Sequence, residues 1–181
     1  MAEDGIDDFA LAKRKAARQL GADEREGLPA NDEIEAELAA YRALYQAEEH
    51  PERIAELRAV ALEAMTAFEQ FRPYLTGPVL SGLAGPYAQI ELELFPESAK
   101  ELEIFLVDRN LPFTTSEGRR FSGERARPVS VFSLTWDGVP LRISVLDPRD
   151  ERLALKTTQA GRARERAGLS EVRKMLELRR N

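Results

Sequence analysis

The sequence predicts an α+β protein in which N-terminal helices are followed by a mixed β-sheet with helices packed on one face. Two patterns predict this class. Apolar residues recur at helical spacing through much of residues 1–75. They alternate with polar residues in several runs between residues 78 and 147. The most direct local signal joins two alternating runs at Asp137 and Gly138, a pair typical of a two-residue type I′ hairpin.

Caps and periodicity predict the N-terminal helices. Residues 9–20 form a short amphipathic segment, and a polar loop follows it. Asp32 and Glu35 have the spacing of a capping box, and apolar residues recur after them at helical spacing. Pro51 suits the first turn of the next helix. The apolar stripe of that helix comprises Ile54, Leu57, Ala61, Met65 and Phe68. We expect residues 71–78 to end it.

Strands and two further helices are predicted after residue 75. The predicted strands are residues 78–81, 87–95, 111–121 and the two arms of the hairpin. Ser98 and Glu101 have capping-box spacing and predict a helix that ends near Asn110. A loop is predicted at residues 123–128 and a terminal helix at residues 170–180.

Three parts follow along the chain: an N-terminal helical segment (residues 1–75), an α+β core (76–148) and a C-terminal tail with a helix (149–181). From residue 151 to residue 181 the tail is basic, with nine cations against the four carboxylates Glu151, Glu165, Glu171 and Glu177; the cations are Arg152, Lys156, Arg162, Arg164, Arg166, Arg173, Lys174, Arg179 and Arg180. This pattern indicates either a solvated helix or a tail that seeks phosphate or a protein partner. The net charge of -6 argues against a general nucleic-acid-binding protein.

Composition limits the chemistry. The chain of 181 residues has room for one domain with appendages, and it lacks cysteine. Disulfides, thiolate zinc sites and cysteine nucleophiles are therefore excluded. The acidic N-terminus does not resemble a signal peptide, and no apolar run approaches the roughly 20 residues of a membrane helix. We expect a cytoplasmic protein that does not enter membranes.

The candidate site lies on the predicted strand at residues 87–95. Glu91 and Glu93 alternate with apolar residues, so their side chains share one face of the strand. Two carboxylates at this spacing lie about 7 Å apart along the strand and can share hard cations. Ser81 and Gly82 precede them in a small turn, whose backbone N–H groups would be able to hold a phosphate.

Residues 79–95, in their setting of helix, strand, turn, strand and helix, resemble the nucleotidyltransferase fold superfamily and its small bacterial members. The family motif is a small turn followed by two acids that alternate with apolar residues. The resemblance covers roughly residues 67–147. It implies that Ser81 and Gly82 hold a nucleoside triphosphate and that Glu91 and Glu93 are catalytic residues that bind Mg²⁺. The implied reaction transfers a nucleoside monophosphate to an unknown acceptor, with two metal ions.

Within residues 79–95, the motif departs from the family pattern in three ways, and a fourth departure lies further along the chain. The turn reads Ser-Gly rather than Gly-Ser. Eight residues separate Gly82 from Glu91, where the family has nine or more. Both acids are glutamates, whose side chains are longer than the usual aspartates.

The place of a third carboxylate is the largest departure. The hairpin register pairs Trp136 with Val139, which puts Arg142 and Ser144 on the polar side. If the sheet has one buried face, Glu91 and Glu93 face solvent beside these two residues. Arg142 would then contact a substrate phosphate or pair with a glutamate.

The sequence leaves three functions open. The protein is an active magnesium-dependent nucleotidyltransferase, a catalytically lapsed member that keeps nucleotide or protein binding, or an unrelated α+β interaction module. In the last two, the acidic helices and basic tail would bind a protein partner or form a homodimer. Two roles are open for Arg119 and Arg120. They contact phosphate, or they protect an exposed edge strand from aggregation.

Overall fold

The computed structural model describes residues 33–34, 36–37, 49–85, 87–122, 125–153, 156 and 165–180. Glu33, Ile34, Ala36 and Glu37 are helical, as predicted. The rest of that predicted helix and the whole of the predicted segment at residues 9–20 lie outside the described residues.

From residue 49 onward, the described chain forms four α-helices, two short 3₁₀-helices and six strands. The helices are α1 (Glu49–Ala67), α2 (Gly77–Ser81), α3 (Ala99–Asp108) and α4 (Leu169–Arg180), with 3₁₀ turns at Glu69–Phe71 and Pro148–Asp150. The strands are β1 (Tyr74–Thr76), β2 (Ile90–Leu94), β3 (Phe113–Ser122), β4 (Arg125–Trp136), β5 (Val139–Val145) and β6 (Ala167–Gly168). None of these helices combines the length and the apolar character needed to span a bilayer.

The strands form one sheet in the order β3-β4-β5-β2-β1-β6. β2 pairs in parallel with β5, and the other neighbours are antiparallel. The α+β class and the mixed sheet are therefore confirmed. The boundary drawn between residues 75 and 76 falls inside β1, and β6 brings the C-terminal part into the same sheet.

The predicted hairpin is confirmed. Asp137 and Gly138 have φ angles of 46° and 76°, the left-handed backbone that a type I′ turn requires. The register pairs Leu134 with Leu141, and it pairs Phe132 with Ile143 one step further along. The hairpin therefore presents one apolar face to the helices.

One hydrophobic core joins the helices to that face of the sheet. Phe68 at the end of α1 is fully buried, with ring centroids 5.3 Å from Phe105 of α3 and 5.4 Å from Trp136 of β4. The other large, fully buried side chains of this core are Leu57, Met65, Leu75, Ile90, Leu92, Leu94, Leu102, Leu106, Leu141 and Ile143. These contacts hold β2 and β5 at the centre of the sheet.

The strand predicted at residues 78–81 is wrong, because these residues belong to the helix α2. Pro78 lies in its first turn, where a missing N–H costs no helical bond. The apolar run reflects two buried side chains, Val79 and Leu80, on a short helix. The strand lies instead at β1, just before it, where the sequence predicted only the end of α1.

The loop predicted at residues 123–128 is also wrong in part, because β4 begins at Arg125. Ten residue pairs join β3 to β4, and this long antiparallel pairing overrides the loop-like composition. Pro128 is tolerated there because β5 pairs with β4 only from Ser130 onward.

Candidate functional site

Glu91 and Glu93 lie on β2 and share the face of the sheet that the helices leave uncovered. The parallel register puts Glu91 beside Arg142 and Glu93 beside Ser144 on β5. The predicted neighbours are thus confirmed. The two carboxylates nevertheless have different surroundings, because Glu91 is half-buried and Glu93 is only 2% exposed.

Glu93 lies between two guanidinium groups. Arg120 Nε is 3.5 Å from Glu93 Oε1, and Arg166 Nη1 is 3.8 Å from Glu93 Oε2. Arg120 also donates from Nη2 to Ser144 Oγ at 2.8 Å. The expectation that Glu93 and Ser144 face solvent is therefore wrong. We call Glu93, Arg120, Ser144 and Arg166 the arginine cluster.

A second layer of chain buries the arginine cluster. Beside it lies a small apolar group, formed by Phe95, Val129, Val131 and Leu146. Arg166 Nη2 donates to the carbonyl oxygens of Glu151 and Leu153, which joins the segment after β5 to the segment before β6. At this end, the sheet is covered on both faces. A carboxylate such as Glu93 is buried only where charged or hydrogen-bonding partners surround it, and here the two arginines do so.

Arg166 also lies against aromatic rings. Its Cζ is 5.2 Å from the centroid of Tyr74 and 5.7 Å from that of Phe95, within the range of cation–π attraction. Tyr74 in turn donates from its hydroxyl to Glu151 Oε1 at 3.0 Å. Glu151 Oε2 accepts from Arg72 Nη1 at 2.6 Å. The second layer is thus fixed to β1 and β2 by charged groups at several points.

Burial raises the pKa of Tyr74 above 10, and the hydrogen bond to Glu151 raises it further. The folded state therefore holds this proton more tightly than the unfolded chain does. The resulting stability is fully present below pH 10 and is lost as the pH rises through the raised pKa.

We expect the difference in tyrosinate absorbance between the wild type and Tyr74→Phe to titrate above pH 10. Glu151→Gln removes the negative charge next to the hydroxyl and should lower the midpoint of that titration. A Tyr74 titration at or below pH 10 would contradict the contact with Glu151.

Ser81 and Gly82 do not form the predicted turn between strands. Ser81 is the last residue of α2, and Gly82 caps its C-terminus with a φ of 79°. The Gly82 N–H donates to the carbonyl oxygen of Pro78, and so does that of Leu83 at 2.9 Å. A helix C-terminus presents carbonyl groups, which disfavour phosphate. Triphosphate binding by Ser81 and Gly82 stays a prediction of the resemblance, without support from this geometry.

The carboxylates do not fit a two-metal centre. Within the described ranges, no three His, Cys, Asp or Glu side chains come close enough together to hold a metal ion. Arg142 and Ser144 are the neighbours of the two glutamates on β5, and Glu93 faces two arginines. Because Mg²⁺ needs near-octahedral oxygen ligands, this donor set is unsuited to it. Magnesium binding by Glu91 and Glu93 stays a prediction of the resemblance, without support from this geometry.

The exposed half of the same face has a different character. A row of side chains crosses four strands in register: Thr114, Ser133, Arg142 and Glu91. Thr114 and Ser133 are exposed, and Arg142 is half-buried between Ser133 and Glu91. We call these four residues the hydroxyl row. Arg142 thus has a hydroxyl group on one side and a carboxylate on the other. Its guanidinium can donate several hydrogen bonds to one phosphate, to which the neighbouring hydroxyl can add another.

Sequence reasoning missed the role of two arginines. Arg120 lies on the edge strand β3, as predicted, but it is buried against Glu93, while Arg119 alone is exposed. Arg120 lies two residues after Gly118 and so shares its face of β3. Only the register of β3 against β4 shows that this face is turned toward Glu93. Arg166 lies far along the chain from Glu93, so no local pattern joins them.

Comparisons of the chain with models of protein families, with curated proteins and with solved structures find no match. The resemblance at residues 67–147 therefore stays a proposal. This face of the sheet has two parts of different character, the buried arginine cluster and the more exposed hydroxyl row.

Proposed function

We propose that this protein is a binding module with a nucleotidyltransferase-like fold, which takes the phosphates of a nucleoside triphosphate at the hydroxyl row and does not transfer the nucleotide. One observation carries the proposal. Arg142 lies beside Glu91 in the parallel register of β2 and β5, where the resemblance would put a third carboxylate on the later strand. The site thus offers a fixed cation in place of a metal ligand.

The surroundings of the two glutamates support binding without metal chemistry. Two guanidinium groups already face Glu93, so a divalent cation there would meet like charge at short range. Arg142 supplies positive charge at the neighbouring position on the exposed half of the sheet. Ser133 and Thr114 add neutral donors, so a phosphate would not need a metal bridge to the protein.

Thermal unfolding with each of the four nucleoside triphosphates, with and without magnesium, tests the proposal. A ligand at about 100 times its dissociation constant stabilises the folded state by roughly 2.7 kcal/mol. For a chain of this size, that corresponds to a rise in Tm of several degrees, at about 2–4 °C per kcal/mol. We expect at least one triphosphate to give this rise in the presence of EDTA. We expect Arg142→Ala to abolish it and no pyrophosphate to be released.

Arg119→Ala is the matched control. Arg119 is exposed on β3, but its side chain lies on the opposite face of the strand from Thr114. It should keep the full shift. A shift that needs magnesium and disappears in Glu91→Gln would instead support an active transferase. The absence of any shift would overturn nucleotide binding and leave the protein-interaction function.

A further inference from the structure

A groove of about 610 Å³ lies near the C-terminal end of α1, away from the hydroxyl row in sequence and built from other elements. It runs between the 3₁₀ turn at Glu69–Phe71, the segment after β2, and α3. Its lining includes Phe71, Arg72, Glu97, Glu101, Ile104 and Asp108. The proposed nucleotide-binding function leaves this groove without a role.

The base of the groove is apolar. Phe71 is buried, and its ring meets that of Phe105 edge to face at a centroid distance of 5.2 Å. Ile104 lines the groove and remains 50% exposed. Covering an isoleucine with an apolar ligand side chain is favourable, since it removes this surface from water.

The rim of the groove is negative. Glu97, Glu101 and Asp108 are exposed carboxylates. Arg72 is the one cation among the groove's described lining residues. Its guanidinium is already engaged by Glu151 Oε2 at 2.6 Å and by the carbonyl oxygen of Phe95 at 2.7 Å. Arg109 also lies against the groove wall, with its Cζ 4.1 Å from the ring centroid of Phe105. Three carboxylates against this arginine leave the rim with a net negative charge, which attracts cations.

The order of the groove residues along α3 sets the shape of a ligand. Glu101, Ile104 and Asp108 are three and four residues apart, so they follow one another along one side of the helix. This acid–apolar–acid stripe is about 10 Å long. We infer that the groove binds a peptide segment of a partner protein in which an apolar residue lies between lysines or arginines. The groove and this segment would match in charge and in apolar contact.

The test is fluorescence anisotropy with a labelled synthetic peptide of the sequence Gly-Lys-Arg-Leu-Leu-Lys-Arg-Gly. We expect saturable binding, which weakens as salt is added because the rim charges are exposed. The double variant Glu101→Gln, Asp108→Asn should raise Kd about five- to tenfold. The amide oxygen that Glu101→Gln introduces would still be able to accept the N–H of Glu97, as the carboxylate of Glu101 does at 3.3 Å, so the start of α3 is kept.

Two matched controls separate the groove from general attraction to an acidic protein. Glu117→Gln with Asp137→Asn removes the same charge from exposed positions on β3 and the hairpin turn, and should leave Kd unchanged. Val107 is 60% exposed on α3 but is not part of the groove lining. Ile104→Ser should raise Kd about tenfold, and Val107→Ser should not.

Equal effects of the groove and control variants would overturn the inference. So would a peptide that does not bind, or one whose binding is unaffected by every groove substitution. A peptide with glutamates in place of its lysines and arginines should not bind. Loss of nucleotide binding in the thermal experiment would leave this result untouched, because the two sites share no residue.

Discussion

Glu93→Gln should lower the free energy of unfolding by about 3 kcal/mol, the lower part of the range for breaking a buried ion pair. The substitution keeps the size of the side chain and removes only the negative charge that Arg120 and Arg166 face. Both guanidinium groups would then stay in a buried site with less compensation. The loss corresponds to a fall in Tm of roughly 6–12 °C for a chain of this length.

Urea unfolding of Glu93→Gln and Glu91→Gln side by side gives the measurement. Glu91 is also a glutamate on β2 but is only half-buried. Its substitution should therefore lower the free energy of unfolding by about 1 kcal/mol or less. The double variant Glu93→Leu, Arg120→Met should be more stable than Glu93→Leu alone, since it removes both charges of one pair. Equal stability of the Glu93→Gln variant and the wild type would show that Glu93 is free of the arginines and available to a ligand.

Phe68→Ala should lower the free energy of unfolding by about 3–5 kcal/mol. Phe68 is 0% exposed and packs between Phe105 of α3 and Trp136 of β4. Its removal leaves a cavity where α1, α3 and the hairpin meet. Because rigid elements surround this point on three sides, the cavity has little room to collapse.

The single tryptophan makes this substitution easy to follow. The fluorescence of Trp136 should change in the folded state of Phe68→Ala, and urea unfolding followed by that signal gives the stability. Tyr87→Ala is the control, because Tyr87 is also aromatic but 78% exposed. It should change stability by about 0.5 kcal/mol or less. A Phe68→Ala loss below about 1 kcal/mol would contradict the described packing.

Local chemistry explains which parts of the fold were predictable. The hairpin follows from the demand for positive φ at Asp137 and Gly138, and its register then puts Arg142 on the polar side. Alternation on β2 assigns Glu91 and Glu93 to one face. These inferences need only neighbouring residues, and they are confirmed.

Tertiary contacts determine the rest. β1 has three residues and β6 has two, too few for an alternating pattern to identify. The burial of Glu93 depends on Arg166, which reaches it only because the chain returns across the sheet. Sequence pattern gives the face on which a carboxylate lies, but what covers that face depends on distant segments.

The parallel pairing of β2 with β5 has a consequence for how the face is assembled. Both strands are central, yet the end of β2 at Leu94 and the start of β5 at Val139 lie far apart in sequence, whereas the hairpin forms from adjacent residues. Non-local pairs require loop closure before they gain contact energy, so we expect this pair to form late in folding. Glu91 lies on β2 and Arg142 lies on β5, so the two residues become neighbours only when these strands pair. A nascent chain therefore has no complete hydroxyl row until β5 has been synthesised and docked.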